Sequence, residues 1–163
     1  MAYFRNRAQK KTGKETNRTC YEAALRLLKY RDNSEKELTR KLRERDYSDK
    51  EIGETLDRLR ELGYMDDETL ADDLFEAYRQ RRAYGDRYIH QKLKEKGLRT
   101  EKHISLEEER EVATQLLLKK LKITPQLQEN YSKAAAFLLR RGFSSEAVST
   151  ALHEIHASDE WDE

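Results

Sequence analysis

Apolar residues recur along this chain with the period of an α-helix, and polar punctuation divides them into short blocks. Tyr21, Ala24, Leu25 and Leu28 form a first stripe that ends at Arg31-Asp32-Asn33, the spacing of one buried helix face. Ser34 with Glu37 three positions on reads as a capping box, and Leu38 and Leu42 follow one turn apart. Ser48 and Glu51 repeat that signature ahead of Ile52, Leu56 and Leu59, and Gly63 supplies a C-terminal stop. These signals predict three short helices in succession.

A second block opens with Asp66 or Asp67 as helix cap and runs through Leu70, Leu74, Phe75 and Tyr78. Tyr84-Gly85 marks a turn before a helix carrying Ile89 and Leu93, which Gly97 closes. A third block holds Ala113, Leu116, Leu117 and Leu121, breaks at Thr124-Pro125, and continues through Ala134, Ala135, Leu138, Gly142, Phe143, Val148 and Leu152.

The blocks share a register. Leu38, Leu42 and Tyr47 have the spacing of Ile89, Leu93 and Leu98, and of Ala134, Leu138 and Phe143. In the outer copies the frame continues, through Ile52 and Leu56 after Tyr47 and through Val148 and Leu152 after Phe143. The middle copy departs: His103, Ile104 and Leu106 precede a Glu107-Glu-Glu109 run, which predicts a shortened or skewed third helix. Copies lying 51 and 45 residues apart (98 − 47 and 143 − 98) suit a helical repeat array. Units of roughly 40–50 residues are marginal alone and need a neighbour to complete their cores.

The expected fold is therefore all-α, an elongated, curved array of three tandem three-helix repeats. Its expected parts are a basic, unstructured arm (1–18), repeats at 19–63, 64–106 and 107–157, and an acidic tail (158–163). The arm carries Arg5, Arg7, Lys10, Lys11, Lys14 and Arg18 against Glu15 alone.

Composition agrees and adds exclusions. Gly (6) and Pro (1) are scarce and charged residues reach 40%, which favours helix. Lys+Arg (33) and Asp+Glu (32) nearly cancel, so a basic surface requires segregation of charge. A single cysteine, Cys20, excludes an internal disulfide, and no run is long and apolar enough for a membrane span; a cytoplasmic protein is expected.

Five stretches, in three regions of the chain, carry a resemblance. Leu27-Leu-Lys-Tyr-Arg-Asp-Asn-Ser-Glu-Lys-Glu-Leu-Thr-Arg-Lys-Leu42 and Leu59-Arg-Glu-Leu-Gly-Tyr-Met-Asp-Asp-Glu68 with Ala71 resemble the start of the RecX family of recombinase regulators. Gly85-Asp-Arg-Tyr-Ile89 with Leu93-Lys-Glu-Lys-Gly-Leu98 is similar to its middle, and Leu138-Leu-Arg-Arg-Gly-Phe143 to its last module. The resemblance spans about Tyr21 to Ile155. It implies a non-enzymatic protein that lodges in the groove of the RecA–DNA filament, restrains ATP hydrolysis, strand exchange and coprotease action, and has single- or double-stranded DNA as a further contact; a monomer is expected. The Glu107-Glu-Glu109 run and the basic arm depart from the family pattern.

The densest basic cluster is Arg79, Arg81, Arg82, Arg87, Lys92, Lys94 and Lys96, interleaved with Tyr78, Tyr84 and Tyr88. It reads either as a solvated helix face or as a patch meeting acidic protein surface or phosphates. Arg140 and Arg141 extend the patch or simply complement a helix dipole. A direct nucleic-acid-binding helical-repeat protein is the alternative. Asp66 and Asp67 read as caps, His153 and His156 as surface histidines without further ligands, and Cys20 as a packing residue. No phosphate loop, nucleophile motif or catalytic acid pair appears, so neither a cofactor nor a metal is expected.

Overall fold

The computed structural model describes residues 18–159, and the basic residues of the expected arm up to position 17 and the last four residues lie outside them. Within this range there are eight α-helices and no strand: α1 (Cys20–Tyr30), α2 (Glu35–Arg43), α3 (Asp49–Glu61), α4 (Asp67–Gln80), α5 (Asp86–Glu95), α6 (Leu106–Ile123), α7 (Tyr131–Arg140) and α8 (Ser145–Asp159). A 3-10 turn at Pro125–Leu127 joins α6 to α7. The all-helical tandem-repeat architecture is the one the apolar period predicts.

The starts of these helices follow from local chemistry. Thr19 with Glu22, Ser34 with Glu37 and Ser48 with Glu51 are complete capping boxes, in which hydroxyl and carboxylate reciprocally satisfy amides that have no intrahelical partner. Asp66 caps α4 through the Thr69 amide, and Ser105 caps α6 through that of Glu108. At the ends, Gly63, Gly97 and Gly142 take positive φ, as the left-handed closing residue of a helix requires.

Burial divides the interior into three clusters. Ala24, Leu38, Leu42 and Leu59 centre the first, which α1 to α3 enclose. Ala71, Phe75, Ile89, Leu93 and Leu98 form the second and smallest. Ala113, Leu117, Leu138, Phe143, Ala147 and Ala151 lie at the heart of the third, between α6, α7 and α8.

The middle cluster differs from the expectation of a third helix after Leu98. The seven residues 99–105 (from 105 − 98) are not helical, and Leu106 already opens α6. Side chains take the place of helical bonds there: the Thr100 hydroxyl accepts from the Lys102 amide at 3.2 Å, and Asp86 Oδ1 accepts from the Ile104 amide at 2.8 Å. Ile104 covers the second core from this strap. Seven residues so occupied leave no length for a helix that pays its own nucleation cost.

Adjacent units meet end to end through their second helices. At the first junction, the Ser34 hydroxyl at the α2 start donates to the Lys96 carbonyl at the α5 end, and Lys96 Nζ returns to Glu37 at 2.7 Å. Asp67 Oδ1 accepts from the Glu35 amide at 3.1 Å, so this acid serves the start of α2, in the first unit, although it stands in α4. At the second junction, the Gly85 amide at the α5 start donates to the Arg141 carbonyl at the α7 end, 2.8 Å away. Helix N-termini thus face helix C-termini at both seams, a favourable arrangement of partial charges.

Candidate basic and aromatic interface

The second junction carries most of the basic residues singled out by sequence, and the structure sorts them by partner. Arg79 is committed to Glu108, with Nη2 to Oε2 at 2.7 Å and Nε to Oε1 at 2.9 Å. Arg82, at φ 47, reaches Glu111 at 2.9 Å. Lys92 pairs with Glu95 at 2.9 Å, and Lys96 with Glu37. These four are internal ties as much as surface charge.

Arg81, Arg87, Lys94 and Arg140 are exposed and make no ion pair among the described residues. Arg141 is half-buried: it donates to the Ala83 carbonyl at 3.2 Å and lies over the Phe137 ring at 4.9 Å. The sequence cluster is therefore split, part structural and part unneutralised.

The interleaved tyrosines come together. Tyr84 and Tyr88 stack in parallel with centroids 4.2 Å apart, and Tyr78 meets both edge-on at 6.0 and 6.3 Å. Arg81 lies over Tyr78 at 4.9 Å, Lys92 over Tyr88 at 5.6 Å and Arg141 over Tyr84 at 5.9 Å, distances at which a cation is drawn to the ring quadrupole. Burial first, then the neighbouring Tyr84, pushes the Tyr88 phenol above its usual value, so it stays protonated at neutral pH. The result is three half-buried rings, each met by a cation, beside exposed arginines. This surface can offer stacking and positive charge together.

Two seam residues were not found by sequence reasoning. Glu109, within the acidic run, is only 5% exposed. Its Oε1 accepts from the Asp86 amide at 3.0 Å, while Oε2 accepts from the Ser144 hydroxyl at 2.6 Å and amide at 3.3 Å. Glu108 beside it is held below the usual carboxylate range by the Arg79 hydrogen bonds. The run that looked like a departure from pattern is the first turn of α6 and the fastening of two units. The one available signal was Ser105, three residues before Glu108, which marks a helix start where acids are favoured.

The other sequence candidates have structural places. Asp66 caps α4. His153 is exposed on α8, and His156 stacks on Tyr131 at 5.8 Å. Cys20 is buried, and burial pushes its thiol up, away from the thiolate a reactive cysteine needs.

Helical blocks, the outer two of three helices and the middle one of two helices and a strap, are joined by helix-end seams with cations over tyrosines at one of them, and they define a tandem helical-repeat protein whose recognisable chemistry is that of a binding surface. The family model described as "RecX, first three-helix domain" matches residues 20–59, and that described as "RecX, third three-helix domain" matches 107–152. Regulatory protein RecX of Deinococcus radiodurans is 32% identical over 151 residues, spanning 89% of this chain and 72% of the relative. Regulatory protein RecX of Chlorobium phaeobacteroides is 29% identical over 146 residues, spanning 87% and 97% respectively. The crystal structure of RecX from Lactobacillus salivarius shares the fold, with a TM-score of 0.72 over 85% of this chain and 95% of that one at 24% identity.

The chain belongs to the RecX family of regulatory proteins, a family of regulators and not of enzymes. Among the described residues no helix is long and apolar enough to cross a membrane.

Proposed function

We propose that this protein is an inhibitor of the RecA recombinase, which works in the cytoplasm as a monomer lodged in the groove of the RecA–DNA filament. It restrains ATP hydrolysis, strand exchange and coprotease action by binding alone. Family membership supports the partner. The observation that carries the contact surface is the second seam, where Arg81, Arg87 and Arg140 remain without carboxylate partners, with Arg81 over the tyrosine trio and Lys94 exposed and unpaired further along α5. Arg79, Arg82, Lys92 and Arg141 contribute positive potential there while serving internal ties, and Lys96 adds its charge at the first seam, where it pairs with Glu37.

A filament presents identical protomers at regular spacing. Linked modules that engage neighbouring protomers gain from effective concentration, so individually weak contacts add up to tight binding. Inhibition then follows from the differential affinity of the array for one filament state.

The test is RecA-dependent ATP hydrolysis on single-stranded DNA, with co-sedimentation of the protein. Wild-type protein lowers hydrolysis and sediments with the filament. The combined variant Arg81→Glu, Arg87→Glu and Arg140→Glu retains helicity by circular dichroism but loses inhibition by about tenfold or more, as expected for reversing unpaired interface charges. Arg82 is left alone because reversing it would set like charges against Glu111. Undiminished inhibition by the triple variant would discard the seam as the contact surface.

The tyrosine trio with its cations favours a second reading, direct single-stranded nucleic-acid binding by stacking. Salt separates the two, because phosphate neutralisation gives log K a slope of about −0.7 per contact on single strands. Under the filament reading, naked DNA is bound weakly at all salt concentrations.

A further inference from the structure

We propose that Asp86, His90 and His103 form a binding site for a divalent transition-metal ion of the zinc type, at the strap that takes the place of a third helix in the middle unit. The site is independent of the recombinase reading. Asp86 and His90 stand one turn apart on α5, and His103 comes to them from the strap. One donor atom from each lies within 4.8 Å of the others.

The spacing is close to what an ion requires. His103 Nδ1 is 2.8 Å from Asp86 Oδ2, and His90 Nε2 is 3.5 Å from the same oxygen. Ligands about 2.0–2.1 Å from a tetrahedral centre stand roughly 3.3 Å from one another. The two measured separations bracket that value, so an ion entering the cluster needs only small side-chain movements.

Supporting contacts orient the ligands. Asp86 Oδ1 is occupied by the Ile104 amide at 2.8 Å, which leaves Oδ2 as the oxygen turned to both imidazoles. The His90 ring is fixed against Phe75, with centroids 5.7 Å apart, and lies over the His103 ring at 4.6 Å. Nε2 of His90 faces the Lys102 carbonyl at 3.0 Å and therefore carries hydrogen in that contact. On binding, that proton passes through solvent to Nδ1, and the lone pair at Nε2 takes the ion. The ammonium of the neighbouring Lys102 is engaged by Glu76 at 3.3 Å and Asp72 at 3.9 Å.

Two imidazoles and one carboxylate suit zinc, cobalt(II) or nickel(II), whereas magnesium and calcium demand oxygen donors. Three protein ligands leave a fourth position for water or for a donor from a partner. The consequence is mechanical: the ion fastens the strap to α5 directly beside the Asp86 amide that Glu109 holds at the seam.

The experiment uses the full chain, stripped with chelator and titrated with Zn²⁺ by calorimetry and with Co²⁺ by visible absorption. One ion binds per chain, the Co²⁺ spectrum shows d–d bands without intense sulfur charge transfer, and the melting temperature climbs with ion concentration. His103→Ala, at an exposed position, stays folded and weakens binding by about tenfold or more, a loss at least that of removing an outer-shell partner. His90→Ala does the same, and His153→Ala with His156→Ala leaves affinity unchanged. Saturable binding that is indifferent to His103→Ala, a sulfur charge-transfer band, or no stoichiometric binding overturns the site and leaves a hydrogen-bonded clasp only.

Discussion

Gly85 shows how a single missing side chain sets a junction. A Cβ built there would strike the Gly142 carbonyl and the Phe143 Cα, so α5 and α7 approach at backbone distance only because the residue is glycine. Across the seam, a Cβ on Gly142 would strike the Tyr88 backbone, and its φ of 82 is costly for any L side chain. The equivalent closing positions in the repeat are Asp46, Gly97 and Gly142, all at positive φ. Gly97 and Gly142 each abut another unit, through Lys36 and Tyr88, whereas at the first position the residue is the exposed Asp46. Glycine is thus needed where the next unit packs close. We expect Gly85→Ala to destabilise the protein by about 1–3 kcal/mol, the usual range for overpacking, read as a lowered urea midpoint by circular dichroism; an unchanged midpoint would mean the seam can open at no cost.

At the scale of elements, the capping boxes and apolar stripes make most helices legible in the sequence, because both are interactions between residues three or four apart. Ser34 and Glu37, or Leu38 and Leu42, carry their meaning locally. What connects α4 to α6 was not legible, because Arg79 and Glu108 are 29 positions apart in a chain where charges abound and most make no such commitment. The strap was half legible: His103 broke the frame, but only the fold shows Asp86 and Thr100 satisfying its amides. The Arg79 pair has a pH signature. Its hydrogen bonds lower the Glu108 pKa in the folded state, below an unfolded value of about 4.3. The stabilisation is therefore fully present above that value and is lost as pH falls through the folded pKa. Stability measured by urea melts should decline on acidification below about pH 4.3, and Glu108→Gln should flatten that decline while lowering stability at neutral pH. Parallel acid limbs for the two proteins would show that the pair is not coupled to folding.

Across the whole molecule, α2, α5 and α7 form a relay in which each N-terminus meets the next C-terminus, and beside the Gly85–Arg141 bond the second link is braced by a buried carboxylate. Glu109 has to be where it is because two helix starts converge on it: the Asp86 amide at the head of α5, and Ser144, whose hydroxyl also accepts from the Ala147 amide at the head of α8. A buried negative charge is acceptable between two such ends, since donors and dipoles both point at it. Removing it leaves those donors buried without a partner, at roughly 1–3 kcal/mol for each group stranded. Glu109→Ala should therefore cost about 3 kcal/mol after partial rescue by water, and Glu109→Gln, which keeps one acceptor oxygen, noticeably less. The loss should be regional. Hydrogen exchange should quicken at the starts of α5 and α8, while Leu38, Leu42 and Leu59, in the core of α1 to α3, keep their protection, because that core shares no residue with the seam. If Glu109→Ala accelerates exchange equally in all three cores, the units do not behave as linked modules, and an array that engages successive protomers of a filament by separate contacts loses its physical basis.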